Sequence, residues 1–245
     1  MDIPLYFYLA FKDLDRLAPG SDASTLRVLD LMNLDANSNL NILEVACGPG
    51  ADTLVLADYF KNSEIDAIDL FPHYLNSLNE KIKENKLESR VFTYEMDMND
   101  LDFANEEMDL MFAHAAVEIM GFKKALNRWK RILKPDGYLV VSDLTWIKKP
   151  EKESIDFWKN NYAEIDTIQN KITQLEKLGF EYINHFILDK KEFNDYYSRL
   201  DENLTQLKSD KSAKDFINQL KREIKVSKNE DYSYVYYIMR KSTHQ

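Results

Sequence analysis

The chain has 245 residues, 44% of them hydrophobic and 12% aromatic, which suits one sizeable α/β core better than two independent domains. Its net charge of −10 disfavours a nucleic-acid partner, and its six glycines and six prolines leave no room for a long flexible linker. The single cysteine, Cys47, excludes an internal disulfide, and His73, His114, His185 and His244 lack ligand spacing, so no metal is expected. No apolar run approaches the roughly 20 residues of a bilayer span. Met1-Asp-Ile-Pro-Leu has no basic start before an apolar core, so no membrane partner and a cytoplasmic location are expected.

In chain order, residues 2–17 carry Tyr6, Phe7, Leu9, Phe11, Leu14 and Leu17 at amphipathic spacing and predict a helix ending before Ala18-Pro-Gly-Ser21. Ser21 can cap a second helix with Leu26, Leu29 and Met32 on its apolar side. This leader packs against the sheet edge or folds over a ligand.

Asn41-Ile-Leu-Glu-Val-Ala-Cys-Gly-Pro-Gly-Ala-Asp52 organises the rest. Ile42, Leu43, Val45 and Ala46 predict a parallel strand buried on both faces. Gly48 and Gly50 turn the backbone and let a ligand approach the main chain. Asp52 and Thr53 are candidate caps for a helix burying Leu54, Leu56, Ala57 and Phe60. A second strand, Ile65 to Asp69, ends in an acid 19 residues beyond Gly50, the separation at which a carboxylate takes both hydroxyls of a ribose. Glu44 and Asp52 flank the loop; they would repel a pyrophosphate and suit a ligand carrying an ammonium and a sulfonium, S-adenosylmethionine.

Glu44-Val-Ala-Cys-Gly-Pro-Gly50 resembles the first motif of class I S-adenosylmethionine-dependent methyltransferases, acid-x-Gly-x-Gly-x-Gly, departing at Ala46. The chain is similar along most of its length to a group of small uncharacterised methyltransferases in which a Pro-Gly-Ser segment follows an aromatic helix and lies near the cofactor. Pro72 opens the next helix, with Leu75, Leu78 and Ile82 buried, and Val91 to Met96 is the third strand. The resemblance then puts Asp97 and Met98 against the adenine, and Asn99-Asp-Leu-Asp-Phe103 is similar to the family's acid-x-x-x-Leu-Pro-Phe. Met108 to Ala113 is the fourth strand, and His114-Ala-Ala-Val-Glu118 starts a loop facing the crevice where strand order reverses. A helix from Phe122 to Leu133, the turn Lys134-Pro-Asp-Gly137 and a strand from Tyr138 to Leu144 follow, an order frequent in these enzymes. Phe157, Trp158 and Tyr162 suggest a short lid. A helix from Thr167 to Leu178 leads to strands Phe180 to Leu188 and Tyr232 to Met239. Between these two, Phe193, Tyr197, Leu200, Leu204 and Leu207, then Phe216, Leu220 and Ile224, predict a helical insertion where the family has a hairpin.

The expectation is therefore an α/β, Rossmann-like doubly wound sheet of seven strands, order 3-2-1-4-5-7-6 with the last antiparallel. It forms one domain over residues 1–245: N-terminal helices in 1–35, core in 40–189 and 231–241, insertion in 190–230. The insertion and the Trp158 segment are expected to cover the acceptor end of the crevice, the alternative being a homodimer surface. The resemblance implies methyl transfer from S-adenosylmethionine to a small-molecule substrate, leaving S-adenosylhomocysteine. The cofactor-binding set is Glu44, Ala46, Cys47, Gly48, Pro49, Gly50, Asp69, Leu70, Asp97, Met98, Ala113 and His114. His114 and Glu118 are candidate bases if the acceptor must lose a proton. The alternative is a Rossmann-like binding protein, NAD-dependent or without catalysis.

Overall fold

In the computed structural model, which describes residues 4–207 and 211–243, the strand running into the glycine turn is the middle of the sheet. This is β1, Asn41–Val45, paired in parallel with β2, Glu64–Asp69, on one side and with β4, Met108–Ala113, on the other. Outward from β2 lies β3, Val91–Glu95; outward from β4 lies β5, Leu133–Trp146. Then come β8, Tyr232–Lys241, antiparallel to β5, and β7, Phe180–Ile187, antiparallel to β8. The order β3-β2-β1-β4-β5-β8-β7 is the expected one renumbered, because an eighth, two-residue strand, β6 at Asp166–Thr167, pairs with the end of β5.

Alternation along each strand builds one core per face. Ile42, Leu110, Val140 and Tyr236 face one way, towards α2 (Asp22–Met32), α3 (Ala51–Tyr59) and α4 (Pro72–Glu84). Leu43, Met111, Val141 and Tyr237 face the other, towards α5 (Val117–Met120), α6 (Phe122–Trp129) and α8 (Ile168–Lys177). The remaining helices are α1 (Leu5–Ala10), α7 (Lys152–Asn161), α9 (Lys190–Gln206) and α10 (Lys214–Ser227). The last two lie between β7 and β8, and Phe193, Tyr197, Leu200, Leu204 and Leu207 are all buried.

Several boundaries differ from the sequence expectation, each for a local reason. The leader helix stops at Ala10, since Asp13 takes a left-handed φ of 60° and α9 claims the carbonyls that would have continued it. Asn203 donates to Ala10 O and Lys12 O, Arg199 to Asp13 O, and Tyr196 to Leu17 O. Ser21 does cap α2, exchanging bonds with Ser24 in a capping box. Asp52 and Thr53 do not cap α3: Gly50 stands at that position, and both side chains turn inward. The helix after Phe122 ends at Trp129, and Leu133 already belongs to β5. Lys134-Pro-Asp-Gly137 is a kink within that strand, where the register against β4 shifts and a side chain at Gly137 would meet Lys134 O at 2.9 Å. His244 lies outside the described residues.

Candidate active site

Beyond the carboxyl ends of β1, β2 and β4 lies a cavity of about 420 Å³. It is within the size range of small-molecule and cofactor sites and sits where such sheets bind ligands. Its floor is the glycine turn. Gly48 has a φ of 53°, and its N–H donates to Asp69 Oδ2 at 2.8 Å. Phe71 N–H donates to Asp69 Oδ1 at 2.9 Å, so the acid is aimed by main chain on both oxygens, each keeping a lone pair for a ligand. Burial pushes the Asp69 carboxyl up, and these two N–H groups hold it back. Ala46, the departure from the glycine motif, has a φ of 57°, in the left-handed region where glycine is unstrained.

Ten of the twelve expected cofactor-binding residues line this cavity: Glu44, Ala46, Cys47, Gly48, Pro49, Asp69, Leu70, Asp97, Met98 and His114. Gly50 and Ala113 are not among its lining residues. Gly50 serves the turn by its backbone, since its φ of 87° is one that L side chains rarely adopt, and Ala113 is sealed in the core. Asp97 is held in a turn by Asn99, whose backbone N–H donates to its Oδ1 at 2.8 Å.

The roof is the leader. Phe7, Phe11, Arg16, Leu17 and Ala18 line the cavity, and Leu17 Cδ1 lies 3.5 Å from where a Gly48 side chain would be. The leader lies over this cavity, as the second of its two expected readings requires. It is anchored through Asp52, which accepts from Arg16 Nη2 at 3.1 Å, from the Thr25 hydroxyl, and from His114 Nδ1 at 2.8 Å. Burial opposes ionisation of Asp52, but His114 and Arg16 outweigh it and hold the carboxyl below the usual range. The flanking charges are therefore not two free carboxylates. Asp52 is spent on Arg16 and His114, while burial and then the neighbouring Asp52 push Glu44 well up, its carboxylate taking the Thr53 hydroxyl.

His114 meets Asp52 at Nδ1 and Pro19 O at 2.9 Å, with Tyr236 Oη at 3.1 Å, at Nε2. A carboxylate and a carbonyl only accept, so both ring nitrogens donate and no lone pair remains for a base. Glu118 does not line the cavity; its Oε1 accepts from Tyr234 Oη at 2.7 Å. Trp158 and Tyr162 are buried away from the cavity, with Tyr162 bonded to Asp143, so the expected lid is a packed element. Sequence reasoning missed Arg16, Phe71 and Tyr74 as lining residues. Only the Pro-Gly-Ser segment signalled that the leader returns to the site; Tyr74 is indistinguishable in sequence from the buried stripe of α4. Among the described residues no group of three or more His, Cys, Asp or Glu side chains could hold a metal.

Residues 42–137 match the family model described as a methyltransferase domain. An uncharacterized protein of Haemophilus influenzae is 25% identical over 71% of this chain and 78% of its own length. A malonyl-[acyl-carrier protein] O-methyltransferase of Acetivibrio thermocellus is 27% identical over 57% of this chain, which spans 48% of that relative. A crystal structure of a methyltransferase from Thiobacillus denitrificans in complex with S-adenosylhomocysteine superposes with a TM-score of 0.82 at 16% identity, covering 98% of this chain and 99% of that one. The domain match over residues 42–137, the strand order and the glycine turn with Asp69 together support a class I S-adenosylmethionine-dependent methyltransferase. They support methyl transfer from S-adenosylmethionine, and the acceptor is not defined by these likenesses.

Proposed function

We propose that this cavity holds S-adenosylmethionine beneath the leader and delivers its methyl group to a small molecule. The observation that carries this is the Asp69 carboxylate, aimed by the backbone of Gly48 and Phe71 at the rim of a cavity of about 420 Å³. The residues fit the cofactor: Asp69 would take the ribose hydroxyls, and Leu70, Asp97 and Met98 the adenine. Ala46 and Gly48 offer main chain to the methionine part, and Arg16 a cation to its carboxylate. The sulfonium supplies an already activated methyl group. What the chain adds is alignment and exclusion of water: Phe7, Phe11 and Leu17 close the roof, and the His114–Asp52–Arg16 network fixes the wall. His114 acts here by positioning, its ring locked by three partners.

The net charge of −10 supports a small acceptor rather than a nucleic acid. No described helix is long and apolar enough to cross a membrane, and the lone cysteine is in keeping with a cytoplasmic protein. The continuous sheet from β3 to β7 supports a single domain; a homodimer through α9 and α10 is tested by sedimentation. The deciding experiment is calorimetry with S-adenosylmethionine, S-adenosylhomocysteine and NAD. Binding of the first two and not the third is expected; binding of NAD alone would overturn the reading.

A further inference from the structure

Charge sorts what the cavity can receive besides its cofactor. Among the described residues that line it, Arg16 is the one Lys or Arg, and its guanidinium already meets Asp22 Oδ1 at 2.7 Å and Asp52 Oδ1 at 3.1 Å. The lining acids are engaged as well. Asp69 takes the N–H groups of Gly48 and Phe71, Asp97 takes that of Asn99, Asp52 takes Arg16 and His114, and Glu44 takes the Thr53 hydroxyl. Asp15 is exposed on the leader and also faces a neighbouring polar groove. Glu118, Glu223 and the buried Asp143–Lys171 pair do not line the cavity; their bonds go to Tyr234, to Tyr197 and to each other.

What remains of the lining is mostly apolar, with Phe7 and Phe11 on the leader, Phe71 and Tyr74 at the start of α4, and Ile119 on α5. Ile119 is 71% exposed although it lines the cavity, so it stands at the mouth. Tyr74 differs from these neighbours. It is 7% exposed and edge-on to Phe71 with centroids 6.2 Å apart, and its hydroxyl is shut off from water without a partner. Burial, then Asp69, pushes that hydroxyl up to about 12, so at neutral pH it can both donate and accept.

A buried hydroxyl without a partner costs stability, and small-molecule sites set a few orienting polar groups in an apolar wall. We infer that the methyl acceptor is an uncharged, largely apolar molecule, held among Phe7, Phe11 and Ile119, whose hydrogen-bonding group meets the Tyr74 hydroxyl. The inference rests on the methyltransferase reading above and names the substrate class of the same site. An acceptor bearing a phosphate or carboxylate would find the lone guanidinium already committed to two carboxylates and to the cofactor. A cationic acceptor would lie against the sulfonium, and like charges at contact repel. An ammonium must also lose a proton before its nitrogen can attack, and His114, donating through both ring nitrogens, holds no lone pair to take it. An uncharged molecule meets none of these costs. Tyr74 is left to the acceptor because Asp69 already offers one oxygen to each ribose hydroxyl.

The test uses the full chain saturated with sinefungin, which carries an ammonium where the cofactor has its sulfonium and whose own binding is measured first. Benzyl alcohol, benzoate and benzylammonium, three probes of one shape and different charge, are then titrated by ligand-observed NMR, with toluene as the probe that lacks a hydrogen-bonding group. Benzyl alcohol is expected to bind at least tenfold more tightly than either ion and at least threefold more tightly than toluene. In Tyr74→Phe the advantage over toluene should vanish while sinefungin binds as before, and the melting temperature without ligand should not fall, since no bond is lost. Benzoate or benzylammonium binding as tightly as benzyl alcohol, no binding of any probe, or the advantage over toluene retained in Tyr74→Phe would overturn the assignment. So would a tenfold loss of sinefungin affinity in Tyr74→Phe, which would give the hydroxyl to the cofactor. Failure of both sinefungin and S-adenosylhomocysteine to bind the wild type would instead sink the methyltransferase reading beneath it. In a turnover screen of molecules that are neutral, anionic or cationic at pH 7, release of S-adenosylhomocysteine with neutral ones is expected; release with either other class and not with neutral ones would also overturn it.

Discussion

Asp69 shows how much one side chain can owe to the backbone around it. The N–H groups of Gly48 and Phe71 orient it before any ligand arrives, so its bonds to ribose would cost little ordering. Each such charge-assisted bond is worth about 1.5 to 3 kcal/mol. Asp69→Ala should weaken S-adenosylmethionine binding at least tenfold by calorimetry, and an unchanged dissociation constant would remove Asp69 from the site. Ala46 makes the converse point. At a φ of 57° it bears strain of about 1 to 2 kcal/mol that glycine would escape, partly offset by glycine's greater freedom when unfolded. Ala46→Gly should therefore match or slightly exceed the wild-type melting temperature, whereas Ala46→Val should lower it by several degrees. Both residues were legible in sequence because their signals are local: two glycines, an acid and a spacing. The role of Asp52 was not. Its partners Arg16 and Thr25 come from the N-terminal stretch and His114 from beyond β4, and only the folded chain converts an expected helix cap into the anchor of the roof.

Among the elements, the leader and the insertion work as a pair. The periodicities of both were readable, but a hydrophobic stripe does not say what it will lie against. Here α9 gives its polar side chains to the leader's free carbonyls, and Phe216 of α10 packs on Phe7 at 5.5 Å and on Tyr6 at 5.3 Å between ring centroids. The insertion thus reaches the cavity by gripping its roof, since no α9 or α10 residue lines it. Cutting that grip with Asn203→Ala and Arg199→Ala should leave the sheet folded. Hydrogen exchange across residues 5–20 should rise, and release of S-adenosylmethionine should quicken several-fold in stopped flow. Unchanged exchange in the leader would show that Asp52 alone secures it. Asp52 also sets an acid limit on this arrangement. Its folded pKa is depressed, so it stabilises the protein above its unfolded value of about 3.9, and that contribution fades as pH falls below it. Asp52→Asn should flatten the loss of stability between about pH 5 and 3 in urea titrations at each pH.

Across the whole molecule the sheet order was the most legible feature, because each parallel strand announces itself as a short apolar run and right-handed crossovers leave few arrangements. The polar interior was the least legible, since Glu118, Asp143, Lys171 and Glu223 are scattered through more than 100 positions of sequence. Lys171 and Asp143, both 0% exposed, are its most demanding members. Lys171 also stands 4.3 Å above the Phe122 ring centroid, joining α8 to α6 as well as to β5. Desolvating such a pair costs much of what the attraction returns, but removing one partner strands a buried charge and costs about 3 to 5 kcal/mol. Lys171→Met should therefore destabilise severely, read as a fall in the urea midpoint at pH 7. Asp143→Leu in the same chain should recover a large part of it, because the orphaned carboxylate goes too. Burial already pushes the Asp143 carboxyl up with Lys171 holding it down, so in Lys171→Met it should rise further. Stability of that single mutant should then improve as pH falls from 7 towards 5, opposite to the trend expected from Asp52. A single mutant as stable as the wild type would mean that the pair sets the alignment of α8 without contributing to stability.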